Sequence, residues 1–243
     1  MNVKIKNSEH NQFNDATYRY ETIVTVKHSE HYSEESSVVR NLKVFHLGEI
    51  GENSYFQVIC LKFSFSDEDR ADIILLKKLS YLWDNIEILV NKDNKIIKIL
   101  NLNQLRLEWI VLKEKLSTDY QGDAVNSYFQ MVDKLLENEE KICDFLNSYK
   151  MLGIIFNGQY GGYNESGYKF RQITENNISF FEELKIIKNE NKQEVQTAFA
   201  ENKTSDYESY KGIFQYENNH LKEAFLDFKL KDKHIKHSLV WIG

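Results

Sequence analysis

The residues best suited to metal chemistry are two pairs of histidines whose members lie three positions apart. They are His28 with His31, and His234 with His237. Side chains three positions apart in a strand face opposite sides of the sheet, so either pair converges only in a turn or a helix. A metal site also needs further ligands, and the sequence around the first pair offers none. We therefore predict no metal site.

Nucleophilic and cofactor chemistry also lack a recognisable motif. The sequence contains no G-x-S-x-G elbow and no Walker A loop, and the glycines at 48 and 51 are too close together for a dinucleotide loop. Cys60 and Cys143 lie within apolar patterns of a predicted strand and a predicted helix, which favours buried, inert thiols. The sequence predicts no catalytic residue and no cofactor, and it favours a protein that is not an enzyme.

Paired carboxylates are the one feature that keeps a hydrolase among the alternatives. Examples are Asp67 with Asp69, Glu139 with Glu140, and Glu182 with Glu183. Hydrolysis by two carboxylates requires that they converge in a cleft, which spacing along the chain does not establish. Adjacent acids usually form a solvated face, and that is the favoured interpretation.

A loop rich in glycine and tyrosine is the best candidate for binding. Glycine allows the backbone to approach a partner closely, and tyrosine gives rigid contact area with a polar tip. The alternative is a plain connection between the helices and the second group of strands. The residues predicted to bind a partner are Asn157, Gln159, Tyr160, Gly161, Gly162, Tyr163 and Tyr168.

Composition limits the partners and the compartment. The net charge is −6, no dense run of Lys and Arg occurs, and the strand aromatics are not interleaved with basic residues. These features argue against nucleic-acid binding and favour another protein as partner, a basic one above all, with homo-oligomers left open. The N-terminal residues lack the apolar core of a signal peptide, and no apolar run approaches the ~20 residues of a membrane span. We expect a cytoplasmic bacterial protein.

The elements that would position these residues have an α+β order, with sheet arms at both ends of the chain. Alternating residues predict antiparallel strands over about 16–65 and 194–242, the latter ending in a meander. Between them we predict a helix at 67–83 capped by Ser66, a hairpin at 86–100, and two helices filling 102–152. The second helix of that pair either spans the molecule or breaks near 137–141. Residues 180–188 fit a strand or a helix.

The absence of proline and of a linker favours one domain over 1–243. The alternative is a strand–helix domain at 1–153 followed by a C-terminal β-meander domain at 165–243. The leading functional expectation is a non-enzymatic protein-binding module, such as an adaptor, an immunity-type inhibitor or a component of a larger bacterial assembly. A carrier of a small apolar ligand, enclosed between a curved sheet and amphipathic helices, is the alternative, beside the hydrolase.

Overall fold

The computed structural model describes residues 15–156, 164–175, 178–189, 192–200, 207–218 and 220–243. Within them the chain combines helices with one large antiparallel sheet. The predicted α+β class with a large antiparallel sheet is therefore confirmed. Among the described residues, no helix is both long enough and apolar enough to cross a bilayer.

Eleven antiparallel strands form this sheet in the spatial order β5-β4-β3-β2-β1-β11-β10-β9-β8-β7-β6. The strands are β1 (Ala16–Lys27), β2 (Ser33–Ile50), β3 (Asn53–Phe65), β4 (Asn85–Val90), β5 (Ile96–Ile99), β6 (Tyr168–Glu175), β7 (Ile178–Asn189), β8 (Lys192–Phe199), β9 (Tyr207–Glu217), β10 (His220–Leu230) and β11 (Lys233–Trp241). Strands that are consecutive in sequence are neighbours in each half. The two halves meet where β1 pairs with β11, with Tyr20 opposite Leu239. The two strand arms therefore form one sheet.

The helices are α1 (Ala71–Ser80), α2 (Leu102–Asp119), α3 (Asp123–Leu136), α4 (Glu139–Asn147) and α5 (Gly153–Phe156), with a short 3-10 helix at Tyr81–Trp83. The first helix begins later than predicted, after Arg70 and not after Ser66. The Ser66 hydroxyl instead accepts a hydrogen bond from the Ser37 amide, 3.1 Å away, and so joins β3 to β2.

The region 102–152 contains three helices where the sequence predicts two. The predicted second helix breaks at residues 137–138, within the charged stretch. Asn138 leaves the helical conformation, and its side chain accepts a hydrogen bond from the Lys141 amide at 3.1 Å. This cap satisfies an otherwise unpaired donor at the start of α4. A cap of this kind ends one helix and begins the next without a long loop.

The sheet buries one face, called here the inner face, against the helices. Its side chains alternate along each strand, as in β9, where Tyr210, Phe214 and Tyr216 are buried between exposed neighbours. Residues 180–188 belong to β7, with Phe180 and Leu184 on the inner face. Strand β6, which the sequence did not predict, pairs with β7 at the edge of the sheet. Both cysteines are free and buried, and burial raises the pKa of each thiol to about 11.

Candidate functional site

The predicted binding loop lies almost entirely outside the described residues. Asn157, Gln159, Tyr160, Gly161, Gly162 and Tyr163 all belong to the undescribed stretch 157–163. Tyr168, the first residue of β6, is described, and the Lys185 ammonium lies 5.8 Å from its ring centroid. Tyr168 is opposite Lys185, which is exposed, so its ring lies on the outer face of the sheet. Tyr168 is therefore separated from the interior described next.

The structure brings polar side chains together on the inner face of the sheet. At their centre is Glu182 of β7, which has no exposed surface. Its Oε2 lies 2.6 Å from Nε of Arg171, and its Oε1 accepts hydrogen bonds from the hydroxyls of Tyr149, at 2.7 Å, and Tyr210. Thr197 donates in turn to the Tyr210 hydroxyl at 2.9 Å. The buried carboxylate is thus paired with a cation and with hydrogen-bond donors, as burial of a charge requires.

Electrostatics within this group follow from burial and charge. Burial lowers the pKa of Arg171, but the adjacent Glu182 carboxylate raises it more, so the net pKa lies above its usual range. Burial, followed by the charge of Glu182, raises the pKa of Tyr210 well above its usual value. Both residues therefore hold their protons at neutral pH. The group is a satisfied ion pair with no free nucleophile or base.

Tyr149 joins this group to the helices. It follows α4, and its amide donates to Oε2 of Glu175 at 2.8 Å. Its ring centroid lies 6.3 Å from that of Phe214 and 6.2 Å from that of Phe228. Its carbonyl oxygen accepts a hydrogen bond from the Tyr20 hydroxyl at 2.9 Å. One residue of the helical layer therefore contacts both halves of the sheet.

His237 lies beside Tyr20 on the inner face and is 2% exposed. Its Nδ1 is 2.9 Å from the hydroxyl oxygens of both Tyr20 and Thr22. Its Nε2 is buried and has no hydrogen-bond partner in the described part of the chain. Burial lowers the pKa of this imidazole to about 3. His237 is therefore neutral at physiological pH.

Arg40 lies on the other side of Tyr20, to which it is directly opposite in β2. Its Nη1 donates to the Lys150 carbonyl oxygen at 3.1 Å and contacts Sδ of Met151. Its guanidinium carbon is 5.7 Å from the centroid of the Tyr20 ring and 5.2 Å from that of Phe63. Its Nε is buried without a hydrogen-bond partner among the described residues, and burial lowers the pKa of the guanidinium.

Arg40 and Arg171 therefore have different surroundings, although both project from the inner face of the sheet. Arg171 is paired with a buried carboxylate. Within the described ranges, no carboxylate lies within ion-pair distance of Arg40. Arg40 is partly exposed, but its buried Nε has no acceptor in the described structure, which makes it the inward-facing cation whose environment most needs explanation.

These residues were not selected as a site from the sequence because none of them belongs to a recognisable motif. Arg40 and His237 stand where inward-facing apolar residues are the rule, with Leu42 and Leu239 two positions further along their strands. A polar residue at an inward-facing position of a strand pattern is unusual, and this interruption was the signal that could have identified the two residues. The pairing of β1 with β11, which brings them to either side of Tyr20, has no local signature.

The carboxylate pairs singled out from the sequence do not converge. Glu182 faces the interior, whereas Glu183 is on the outer face, because neighbouring residues of a strand point in opposite directions. A surface groove of about 480 Å³ does contain Glu194, Glu217 and Glu223, near the ends of β8 to β10. Lys192 and Lys222 line it as well, so it combines both signs of charge.

Comparisons with known proteins add two distant similarities. No protein-family model matches the sequence, and no curated protein matches it. A structure described as lipid-protein interactions in lipovitellin matches with a TM-score of 0.49 and 9% identity, over 94% of this chain and 25% of that chain. The chain thus spans a quarter of the length of its lipovitellin counterpart.

The second similarity is to a domain described as an outer membrane lipoprotein-sorting protein from Vibrio parahaemolyticus. It has a TM-score of 0.21 and 10% identity, over 93% of this chain and 85% of that chain. At these scores and identities, neither similarity determines what this chain binds.

The leading expectation from the sequence, a non-enzymatic protein-binding module, is wrong. The matched structures are described in terms of lipid interactions and lipoprotein sorting, and neither is described as an adaptor or an inhibitor. The adaptor and inhibitor interpretations are therefore set aside.

Proposed function

We propose that this protein carries a small apolar ligand between the inner face of its sheet and its helical layer. The supporting observation is that the inner face is apolar across the whole width of the sheet. Every strand contributes at least one buried apolar side chain to it. From edge to edge these include Ile99, Ile88, Phe56, Leu42, Tyr20, Leu239, Phe228, Phe214, Val195, Leu184 and Ile173.

Aromatic side chains of the C-terminal half of the sheet converge across several strands on the inner face. Phe180 of β7 and Phe228 of β10 are separated by two intervening strands. In a flat sheet those two strands would be about 14 Å apart, yet the ring centroids are 6.4 Å apart. These rings form a continuous apolar surface on the inner face, and it is there that we place the apolar part of the ligand.

The helical layer that covers the inner face is attached at its centre by a few hydrogen bonds. Side chains of the sheet reach backbone carbonyls of the segment after α4, from Tyr20 to Tyr149 and from Arg40 to Lys150. The bond from the Tyr20 hydroxyl contributes about 1 kcal/mol to stability and the bond from the charged Arg40 about 1.5–3 kcal/mol, because the same groups can bond to water when separated. Movement of this segment would open the interior to a ligand, as lids do in other binding proteins.

An uncharged fluorescent probe tests the proposal without assuming the ligand's identity. N-phenylnaphthylamine fluoresces in apolar surroundings, and we expect saturable binding with about one probe per chain. Unlabelled long-chain alcohols should displace it. Native mass spectrometry of the purified protein should in addition show a bound small molecule. A lack of saturable probe binding, together with a mass equal to that of the bare chain, would overturn the proposal.

Two Phe→Ala variants in neighbouring strands separate interior binding from adsorption to the surface. Phe214 of β9 is completely buried on the inner face, whereas Phe225 of β10 is 48% exposed on the outer face. Phe214→Ala should change the affinity for the probe severalfold. Phe225→Ala should leave it unchanged. Equal effects of the two substitutions would place the probe outside the interior.

A further inference from the structure

We propose that the carried ligand has a single carboxylate at one end of its apolar chain, and that Arg40 holds this carboxylate. The inference rests on the proposed function, since it concerns the head of a ligand whose chain lies in the interior. Its basis is the position of Arg40, a cation among aromatic rings with no anion beside it in the described structure.

The guanidinium has an N–H group available for such a ligand. Of its donor nitrogens, Nη1 is used by the Lys150 carbonyl. The Nε–H is buried and has no acceptor among the residues described. A buried donor without an acceptor is unfavourable, so a ligand that supplies an acceptor to this N–H is bound more tightly. A carboxylate fits best, because it accepts charge-assisted hydrogen bonds from guanidinium in a fixed planar geometry.

The surroundings of Arg40 also fit an apolar chain attached to that head. Tyr20 and Phe63 lie opposite Arg40 on the two neighbouring strands, and Leu42 is the next inward residue of β2. A small anion such as acetate would gain the charge interaction but bury no chain. An uncharged ligand of the same length would bury its chain but leave Arg40 without an anion. The site therefore favours a molecule with both parts.

The other interior charges do not compete for the same carboxylate. Arg171 already holds Glu182, and that pair lies in β6 and β7, on the far half of the sheet from β2. His237 is in β11, which pairs with β1 on the side away from β2, and burial keeps its imidazole neutral. Of the charged side chains described on the inner face, Arg40 is the cation left for a ligand to neutralise.

Myristate, tetradecanol and acetate, used as competitors of N-phenylnaphthylamine, test this proposal. We expect myristate to bind about 10- to 100-fold more tightly than tetradecanol, the ratio that corresponds to a charge-assisted hydrogen bond of about 1.5–3 kcal/mol. Acetate should not compete. Arg40→Gln should weaken the binding of myristate much more than that of tetradecanol, and so abolish the preference for myristate. The retained binding of tetradecanol shows that the variant is folded.

Arg19→Gln is the matched control. Arg19 belongs to β1, is on the outer face and is exposed, so its loss removes the same charge without touching the interior. This variant should keep the preference of the native protein for myristate. Equal affinity of the native protein for the acid and the alcohol would overturn the role of Arg40 but leave the carrier function intact. Equal weakening of the affinities for myristate and tetradecanol by Arg40→Gln would likewise overturn the role of Arg40 and leave the carrier function intact. Binding of neither ligand would overturn the carrier function itself.

Discussion

Arg171 Nε lies 2.6 Å from Glu182 Oε2, and this ion pair joins the edge strand β6 to its neighbour β7 inside the protein. The Glu182 carboxylate has no exposed surface and also accepts hydrogen bonds from the hydroxyls of Tyr149 and Tyr210. A buried pair is not strongly stabilising compared with apolar residues, but each partner depends on the other. This ion pair and these hydrogen bonds explain why the Glu182 carboxylate is tolerated among aromatic side chains.

Removal of either partner of this ion pair should strongly destabilise the protein. Arg171→Met leaves the Glu182 carboxylate buried without a cation, and we expect a loss of about 3–5 kcal/mol in the free energy of unfolding. Replacement of both partners, by Arg171→Met with Glu182→Leu, should cost less than either single change. Urea denaturation measures all three. Glu52→Gln, which breaks an exposed pair with Lys92, should cost less than about 0.5 kcal/mol.

Arg40→Met should behave differently from Arg171→Met. It removes a cation that has no carboxylate partner in the described chain, so the lost desolvation penalty offsets the lost hydrogen bond to Lys150. We expect the free energy of unfolding of the ligand-free protein to change by less than about 1 kcal/mol. A loss as large as that of Arg171→Met would indicate that Arg40 is a structural anchor in its own right.

Acid should destabilise the protein through His237. Its pKa is about 3 in the folded protein, compared with 6.5 for an unperturbed imidazole. Between these values the unfolded chain binds a proton that the folded chain does not, so stability falls as the pH falls, by about 1.4 kcal/mol per pH unit. His237→Gln should remove about 2–3 kcal/mol of the decline between pH 7 and pH 4.5, measured by urea denaturation at each pH. His31→Gln, at an exposed position, should follow the native profile.

Helix α2 has apolar residues on two faces, and only one of them should matter for stability. Leu105 is completely buried, whereas Leu107 is 66% exposed and Ile110 is 61% exposed. Leu105→Ala should cost about 2–5 kcal/mol, because it leaves a cavity in the core. Leu107→Ala should change the free energy of unfolding by less than about 0.5 kcal/mol. Similar losses from the two substitutions would mean that the exposed face is covered in solution.

The exposed face of α2 also shows why the helical region could be predicted only in part. Leucines and Trp109 at spacings of three and four predicted the helix, and the buried set Leu102, Leu105, Trp109 and Leu116 follows that pattern. The spacing did not show that a second stripe, including Leu107 and Ile110, would remain exposed. Likewise, the break at 137–138 depends on the N-terminal cap that Asn138 provides. The apolar pattern continues across this break and so does not reveal it.

The sequence alone determined the α+β class and most of the strands, because alternation and helical spacing are local properties of a chain that must bury one face. It also identified 180–188 as a segment of regular structure without deciding its type. Only the tertiary structure decided that the two strand arms join through β1 and β11, since that pairing links residues more than 200 positions apart. The same pairing places His237 beside Tyr20, which is opposite Arg40 through the pairing of β1 with β2. Local patterns do not encode which distant strands become neighbours, and so the candidate site emerged only from the folded chain.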